Sequence, residues 1–244
     1  MTSVATARAL VIVPTYNERE NIAEVARRLF EAAGARVALL VVDDGSPDGT
    51  AEIVKQIAAG TDEIHLLERA GKQGLGSAYR TGFAWALDHG YEAVVEMDAD
   101  LSHDPADVGR LLDALEDADL AIGSRYVPGG GTRNWGLLRR LLSRFGNLYA
   151  RAWLGFKVQD STAGFRAYRT AWLREIDLST AASEGYAFQV EMTFRTYRAG
   201  KRIVEVPITF VERTMGRSKM SKKIVIEALL RIARWGVAAR FNRR

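Results

Sequence analysis

The chain has 244 residues, 48% hydrophobic and 26% charged, with a formal net charge of +4. That composition is globular, and the length suits one well-buried α/β domain with a short appendage. The chain has no cysteine, which excludes disulfides, thiol catalysis and zinc–thiolate sites, and its three histidines form no ligand pair at helical spacing. No apolar run is long enough to cross a bilayer, and the N-terminal segment does not read as a signal peptide, so a cytoplasmic protein is expected. Charge divides unevenly: residues 1–132 carry 11 Lys and Arg against 22 Asp and Glu, and the remainder carries 23 against 8. An acidic half suits cations and a basic half suits phosphates or an anionic surface, although the halves can also simply attract each other.

In chain order, short apolar runs at Leu10–Val13, Val37–Val42, Ile64–Leu67, Ala93–Met97 and Leu120–Ile122 predict strands. Between them, Asn21–Ala33, Ala51–Ala59 and Ser77–Leu87 carry helical periodicity. Strand, helix, strand at this spacing predicts a parallel sheet covered on both faces, with ligands outside the carboxyl ends of its strands. A further helix is expected where Leu138, Leu141, Leu142, Phe145, Leu148, Tyr149 and Trp153 recur among Arg139, Arg140, Arg144 and Arg151. That pattern fits equally a helix packed on a core and one lying in a membrane interface. From Lys222 onward, a narrow polar stripe leaves Ile224, Ile226, Leu229, Leu230, Ile232 and Trp235 on a broad apolar face that needs a partner.

The strand ends hold the chemistry-bearing residues. After the first strand comes P-T-Y-N-E, where Asn17 can cap a helix. After the second comes D-D-G-S-P-D-G-T, where Asp43 and Asp44 can accept hydrogen bonds from a base or ribose, and Ser46 or Asp48 can cap a helix. The glycines of R-A-G-K-Q-G-L-G-S-A form no Walker A motif but can let backbone N–H groups approach a phosphate. In M-D-A-D-L-S-H-D, Asp98 and Asp100 repel each other unless a cation lies between them, and hard oxygen ligands suit Mg²⁺ or Mn²⁺ shared with a diphosphate. Asp104, before Pro105, reads as a helix cap.

Together V-I-V-P-T-Y-N-E-R-E-N-I, V-V-D-D-G-S-P-D-G-T, M-D-A-D-L-S-H-D-P, I-G-S-R-Y and D-S-T-A-G-F-R-A-Y resemble the inverting family 2 glycosyltransferases of the GT-A fold. Among these, the chain most resembles the dolichyl- or polyprenyl-phosphate mannose synthases, from about Leu10 to Lys219. The resemblance implies a mostly parallel Rossmann-like sheet with helices on both faces over residues 1–218, and the residue pattern beyond it predicts a basic amphipathic helix or tail over 219–244. It implies that Pro14, Tyr16, Glu18, Val42 and Asp44 hold the nucleotide, with Asp43 at the same strand tip, and that Asp98, Ala99 and Asp100 form the metal and diphosphate site. Arg125 would meet phosphate, Arg213 and Lys219 would lie on a loop closing over the phosphates, and Gln189 and Glu191 would stand beside the reacting sugar. The implied reaction moves mannose from GDP-mannose to a polyprenyl monophosphate, using Mg²⁺ or Mn²⁺, at the cytoplasmic face of a membrane and with room for a membrane-embedded partner. A polyprenyl-phosphate glucose synthase using UDP-glucose is the alternative within the family. A nucleic-acid-binding protein is disfavoured, because aromatic residues do not interleave with the basic ones and no binding motif is present.

Overall fold

The computed structural model describes residues 8–181, 183–212 and 222–241, with backbone only at 222–225. In chain order the elements are β1 (Ala9–Thr15), α1 (Ile22–Ala33), β2 (Val37–Asp43), α2 (Thr50–Ala58), β3 (Ile64–Glu68), α3 (Leu75–Asp88), β4 (Ala93–Glu96), α4 (Asp107–Ala114) and β5 (Leu120–Ser124). They are followed by β6 (Gly131–Arg133), α5 (Leu137–Leu154), β7 (Arg166–Arg169), α6 (Thr170–Glu175), α7 (Tyr186–Arg198), β8 (Ile203–Pro207), β9 (Thr209–Val211) and α8 (Lys222–Phe241). The five expected strands and three expected helices are all present, within one to two residues at most ends.

The central sheet runs β3-β2-β1-β4-β7-β5-β8, and β6 and β9 form a separate small pair. β1 pairs in parallel with β2 and β4, β2 with β3, and β5 with β8. The sheet is therefore mostly parallel but not wholly so, because β7 runs antiparallel to both β4 and β5. This strand escapes a hydropathy reading: in R-A-Y-R only Ala167 and Tyr168 are apolar, and Arg166 is fully buried by virtue of partners that the sequence does not display.

Alternate residues of each strand feed two cores. Leu10, Ile12, Leu40, Val42, Val94 and Tyr168 meet Tyr79 and Phe83 of α3 and Phe188 and Met192 of α7. Val11, Val13, Leu39, Val41 and Val95 meet Val25 and Leu29 of α1, Val54 of α2 and Leu111 of α4. Burial on both faces explains why β1 and β2 are unbroken apolar runs. α3 comes especially close to β1: a Cβ on Gly82 would stand 2.6 Å from Cγ2 of Ile12.

Capping follows the expectations in part. Asp48 Oδ1 accepts from Thr50 N at the start of α2, and Asp104 Oδ1 accepts from Ala106 N before α4. Asn17 does not cap α1. It takes a left-handed conformation at φ 61°, its N–H donates to Ser46 Oγ, and Asn21 is the residue at the helix start.

Candidate active site

The carboxyl ends of β1, β2, β4 and β5 converge on a cavity of about 430 Å³, closed on its far side by α7 and the start of α5. Pro14, Tyr16, Glu18 and Asp44 line one end, Asp98, Ala99 and Asp100 the middle, and Arg125, Arg139 and Gln189 the remainder. Residues from both halves of the chain thus meet at one place, with carboxylates facing guanidinium groups.

At the first end, Asp44 is held by Arg69, whose Nε donates to Asp44 Oδ1 at 2.6 Å while its Nη1 donates to Ser77 Oγ at 2.8 Å. Both members of this ion pair are more than nine-tenths buried, so it ties the tip of β2 to the glycine-rich loop. Lys72 of that loop stands 4.8 Å above the Tyr16 ring, a cation–π pair at the cavity wall. Two of the expected nucleotide residues stand behind this wall. Val42 is fully buried in the core, and Asp43 accepts from Thr15 Oγ1 at 2.7 Å and from Ser46 N and Oγ, so it shapes the turn after β2. Within the glycine-rich segment expected to let N–H groups approach a phosphate, the N–H groups of Gly76 and Ser77 donate instead to the carboxylate of Glu184, at 2.8 and 3.1 Å.

In the middle, the D-A-D segment bends just past β4. Leu101 has φ 58°, a conformation a branched side chain rarely takes, and Ser102 stabilises the bend by donating from N and Oγ to Asp100 Oδ1 at 3.1 and 2.5 Å. Behind Asp98 lies His103, its ring stacked on Phe165 at 4.9 Å, with Nδ1 accepting from Asp98 N at 3.3 Å. Burial, aided by the Arg125 charge, pushes the His103 imidazole down to about 4 against the pull of Asp100, so at neutral pH it is an uncharged support. No cluster of three or more acidic or histidine ligands occurs among the described residues. Two hard carboxylates in an open cavity fit a divalent ion that completes its shell with phosphate oxygens and water, and do not fit a closed all-protein metal site.

At the remaining side, Arg125 is buried and gripped by Asp160, with Nε and Nη2 donating at 2.7 and 2.6 Å, and the rings of Tyr126, Trp135 and Phe210 lie around it. Burial alone would raise the Asp160 carboxyl, but the Arg125 guanidinium overrides it and holds the group below its usual range. Arg139, on the first turn of α5, stacks 4.3 Å above Trp135 and pairs with Glu212. Gln189 lines the cavity, whereas Glu191 turns away to bind Arg195 at 2.6 Å and accept from Ser183 N, holding the loop before α7. Arg213 and Lys219 lie outside the described residues. Sequence reasoning did not single out His103, Arg69 or Glu184 for the site, and placed Arg139 only on an amphipathic helix. Arg69 and Glu184 meet partners distant in sequence, and the rings that pack His103, Phe165 and Phe210, are distant as well, so no local pattern marks these roles.

The glycosyl transferase family 2 pattern matches residues 10–177. The chain belongs to that family. It is 54% identical over 235 residues to the undecaprenyl-phosphate mannosyltransferase of Micrococcus luteus, covering 96% of each chain. Identity to the polyprenol monophosphomannose synthase of Mycolicibacterium smegmatis is 52% over 240 residues, covering 98% of this chain and 90% of the other. Among solved structures, the glucosyl-3-phosphoglycerate synthase of Mycobacterium tuberculosis in complex with phosphoglyceric acid superposes with a TM-score of 0.68 at 22% identity, over 95% of this chain and 82% of the other. The same enzyme with Mn²⁺, UDP and phosphoglyceric acid gives 0.67 at 23% identity, over 95% and 81%. At that identity the likeness establishes the GT-A fold, and this family 2 member is a glycosyltransferase.

Proposed function

We propose that the protein transfers mannose from GDP-mannose to a polyprenyl monophosphate, releasing GDP and a β-linked mannosyl lipid. The observation that carries this reading is the meeting at one cavity of the Asp98/Asp100 pair with the Arg125 and Arg139 guanidinium groups, Arg139 belonging to α5, a helix whose apolar residues are exposed. Leu137, Leu138, Leu141, Leu142, Phe145 and Leu148 all project from this helix, each more than half exposed. A ligand with a phosphate head and a hydrocarbon tail suits that arrangement, and the named activities of the two mannosyltransferase relatives support it.

A phosphomonoester is already anionic at neutral pH, so attack on the anomeric carbon needs little help from a general base. The barrier lies in bringing two anions together and in the charge that collects on the departing diphosphate. A divalent ion, Mg²⁺ or Mn²⁺, held by Asp98 and Asp100 would supply the Lewis acid that offsets this charge. Arg125, made rigid by Asp160, and Arg139, laid on Trp135, hold phosphate in line for displacement, so orientation is settled before reaction. In-line attack from the opposite face inverts the anomeric centre.

The same reading places the protein on the cytoplasmic surface of a membrane. No helix among the described residues is long and apolar enough to cross one, yet α8, like α5, keeps Ile226, Leu230 and Phe241 exposed beside arginines. Such a surface suits insertion at the level of anionic headgroups, and leaves room for a membrane-embedded partner. The test is transfer of labelled sugar to a short polyprenyl phosphate from GDP-mannose, and in parallel from UDP-glucose, with either metal or with EDTA. Metal-dependent mannolipid is expected; glucolipid alone would overturn the donor.

A further inference from the structure

Below the D-A-D segment, at the end of β4, lies an acidic side chain with no evident role in holding metal or nucleotide. Glu96 is fully buried, and the antiparallel pairing of β4 with β7 sets it directly opposite Arg166, which is fully buried as well. Opposed residues of an antiparallel pair share a face, so both lie on the side covered by α7. Arg166 is committed to the backbone around the cavity: it donates to the carbonyls of Ser161, Ala163 and Gln189 and to Thr193 Oγ1. Glu96 Oε2 accepts from Nε2 of Gln189 at 2.6 Å.

That hydrogen bond gives the Gln189 side chain a direction. A carboxamide donates at one end and accepts at the other, and Glu96 takes the donor end. The acceptor end, Gln189 Oε1, is buried and has no hydrogen-bond partner among the described residues, although buried polar atoms are nearly always paired. It belongs to a residue that lines the cavity together with Asp98, Ala163 and Gly164. An acceptor orphaned in the wall of a ligand cavity needs a partner, and a ligand hydroxyl can supply one where the side chain meets it.

We propose that Glu96 is a positioning residue which, by holding Nε2, presents the Gln189 carboxamide oxygen to a hydroxyl of the sugar carried by the nucleotide. The site then selects for the sugar and not only for the nucleoside diphosphate. This rests on the reading of the donor as a sugar nucleotide.

The experiment is calorimetric titration of the full chain with GDP-mannose and GDP, and with UDP-glucose and UDP, comparing each sugar nucleotide with its own nucleoside diphosphate. Whichever pair the wild-type protein binds is the pair compared, so donor identity and the positioning role are decided by separate numbers. Gln189→Leu is expected to weaken the sugar nucleotide about 10-fold, the loss of one hydrogen bond to a hydroxyl, and to leave the nucleoside diphosphate within about 2-fold. Glu96→Leu is expected to do the same. Glu96→Gln, whose amide oxygen can still accept from Nε2, restores the sugar preference, and the double variant Glu96→Leu/Gln189→Leu is no worse than either single change. Equal weakening of both ligands, additive losses in the double variant, or an unmoved ratio in Gln189→Leu would each overturn the proposal.

Discussion

At the residue scale, the acidic pair and the buried ion pairs carry separable consequences. Asp100→Asn removes one of the two hard ligands while keeping an acceptor for Ser102, so the fold is expected to survive and sugar transfer to fall at least 100-fold. A radiolabelled transfer assay beside a melting curve checks it; near-normal turnover in the presence of metal would sink the proposed metal role. Asp160→Asn acts on stability instead. It leaves Arg125 buried with its bidentate partner gone, a change of about 3–5 kcal/mol for a broken buried pair, measurable by denaturant unfolding. The pH dependence follows the same pair. Because the folded-state pKa of Asp160 lies below its usual value, the stability it contributes is fully present above about pH 4 and is lost as pH falls through the folded value. The melting temperature of the wild-type protein should therefore drop more steeply on acidification below about pH 4 than that of Asp160→Asn.

At the element scale, α3 and α5 show how one helix serves packing and another a surface. Gly82→Ala on α3 would push a methyl group into Ile12, so a loss of about 1–3 kcal/mol is expected by thermal or chemical unfolding, although alanine is intrinsically the better helix former. On α5 the apolar residues near its start are open. The charge-introducing pair Leu141→Glu/Phe145→Glu is expected to leave the melting temperature nearly unchanged and to abolish co-flotation with vesicles containing anionic lipid. Unchanged flotation would remove α5 from the membrane reading. Helical spacing showed that α5 is amphipathic but left open which neighbour its apolar face meets. Tyr149 and Trp153 turn out to face α8, with Tyr149 Oη donating to Leu229 O at 3.3 Å, whereas Leu138, Leu141 and Leu142 face outward. One helix divides its apolar stripe between a partner in the chain and open surface.

At the scale of the whole molecule, the unequal charge of the two halves acquires a geometry. The acidic strand ends of the first half form one wall of the cavity, and Arg125 and Arg139 stand across from them. The basic second half also surrounds the exposed faces of α5 and α8, so attachment to an anionic surface should weaken with ionic strength. Vesicle flotation at low and at high salt tests this, with a fall expected as added salt screens the arginines. α8 is less separate than a tail: Ile232 is buried in the core shared with α3 and α7, and Gly236 lies against the Trp153 backbone. A chain ending near Ser221 is therefore expected to lose stability as well as surface binding, which the α5 double variant separates.

Patterns local in the chain were legible without coordinates. Apolar runs of strand length, periodic helices, turn residues after β2 and paired aspartates after β4 each arise from neighbours within a few positions, and so the sheet, the edge at which its cavity opens and the D-A-D segment could be read from composition and spacing. The antiparallel β7, the burial of Arg166, the withdrawal of Asp43 and Val42 from the cavity, the occupation of the α3 start by Glu184 and the union of Glu96 with Gln189 could not. Each depends on groups that include partners from 23 to 108 positions apart, where the energy of burying a charge or an amide is set by the partner waiting for it in space.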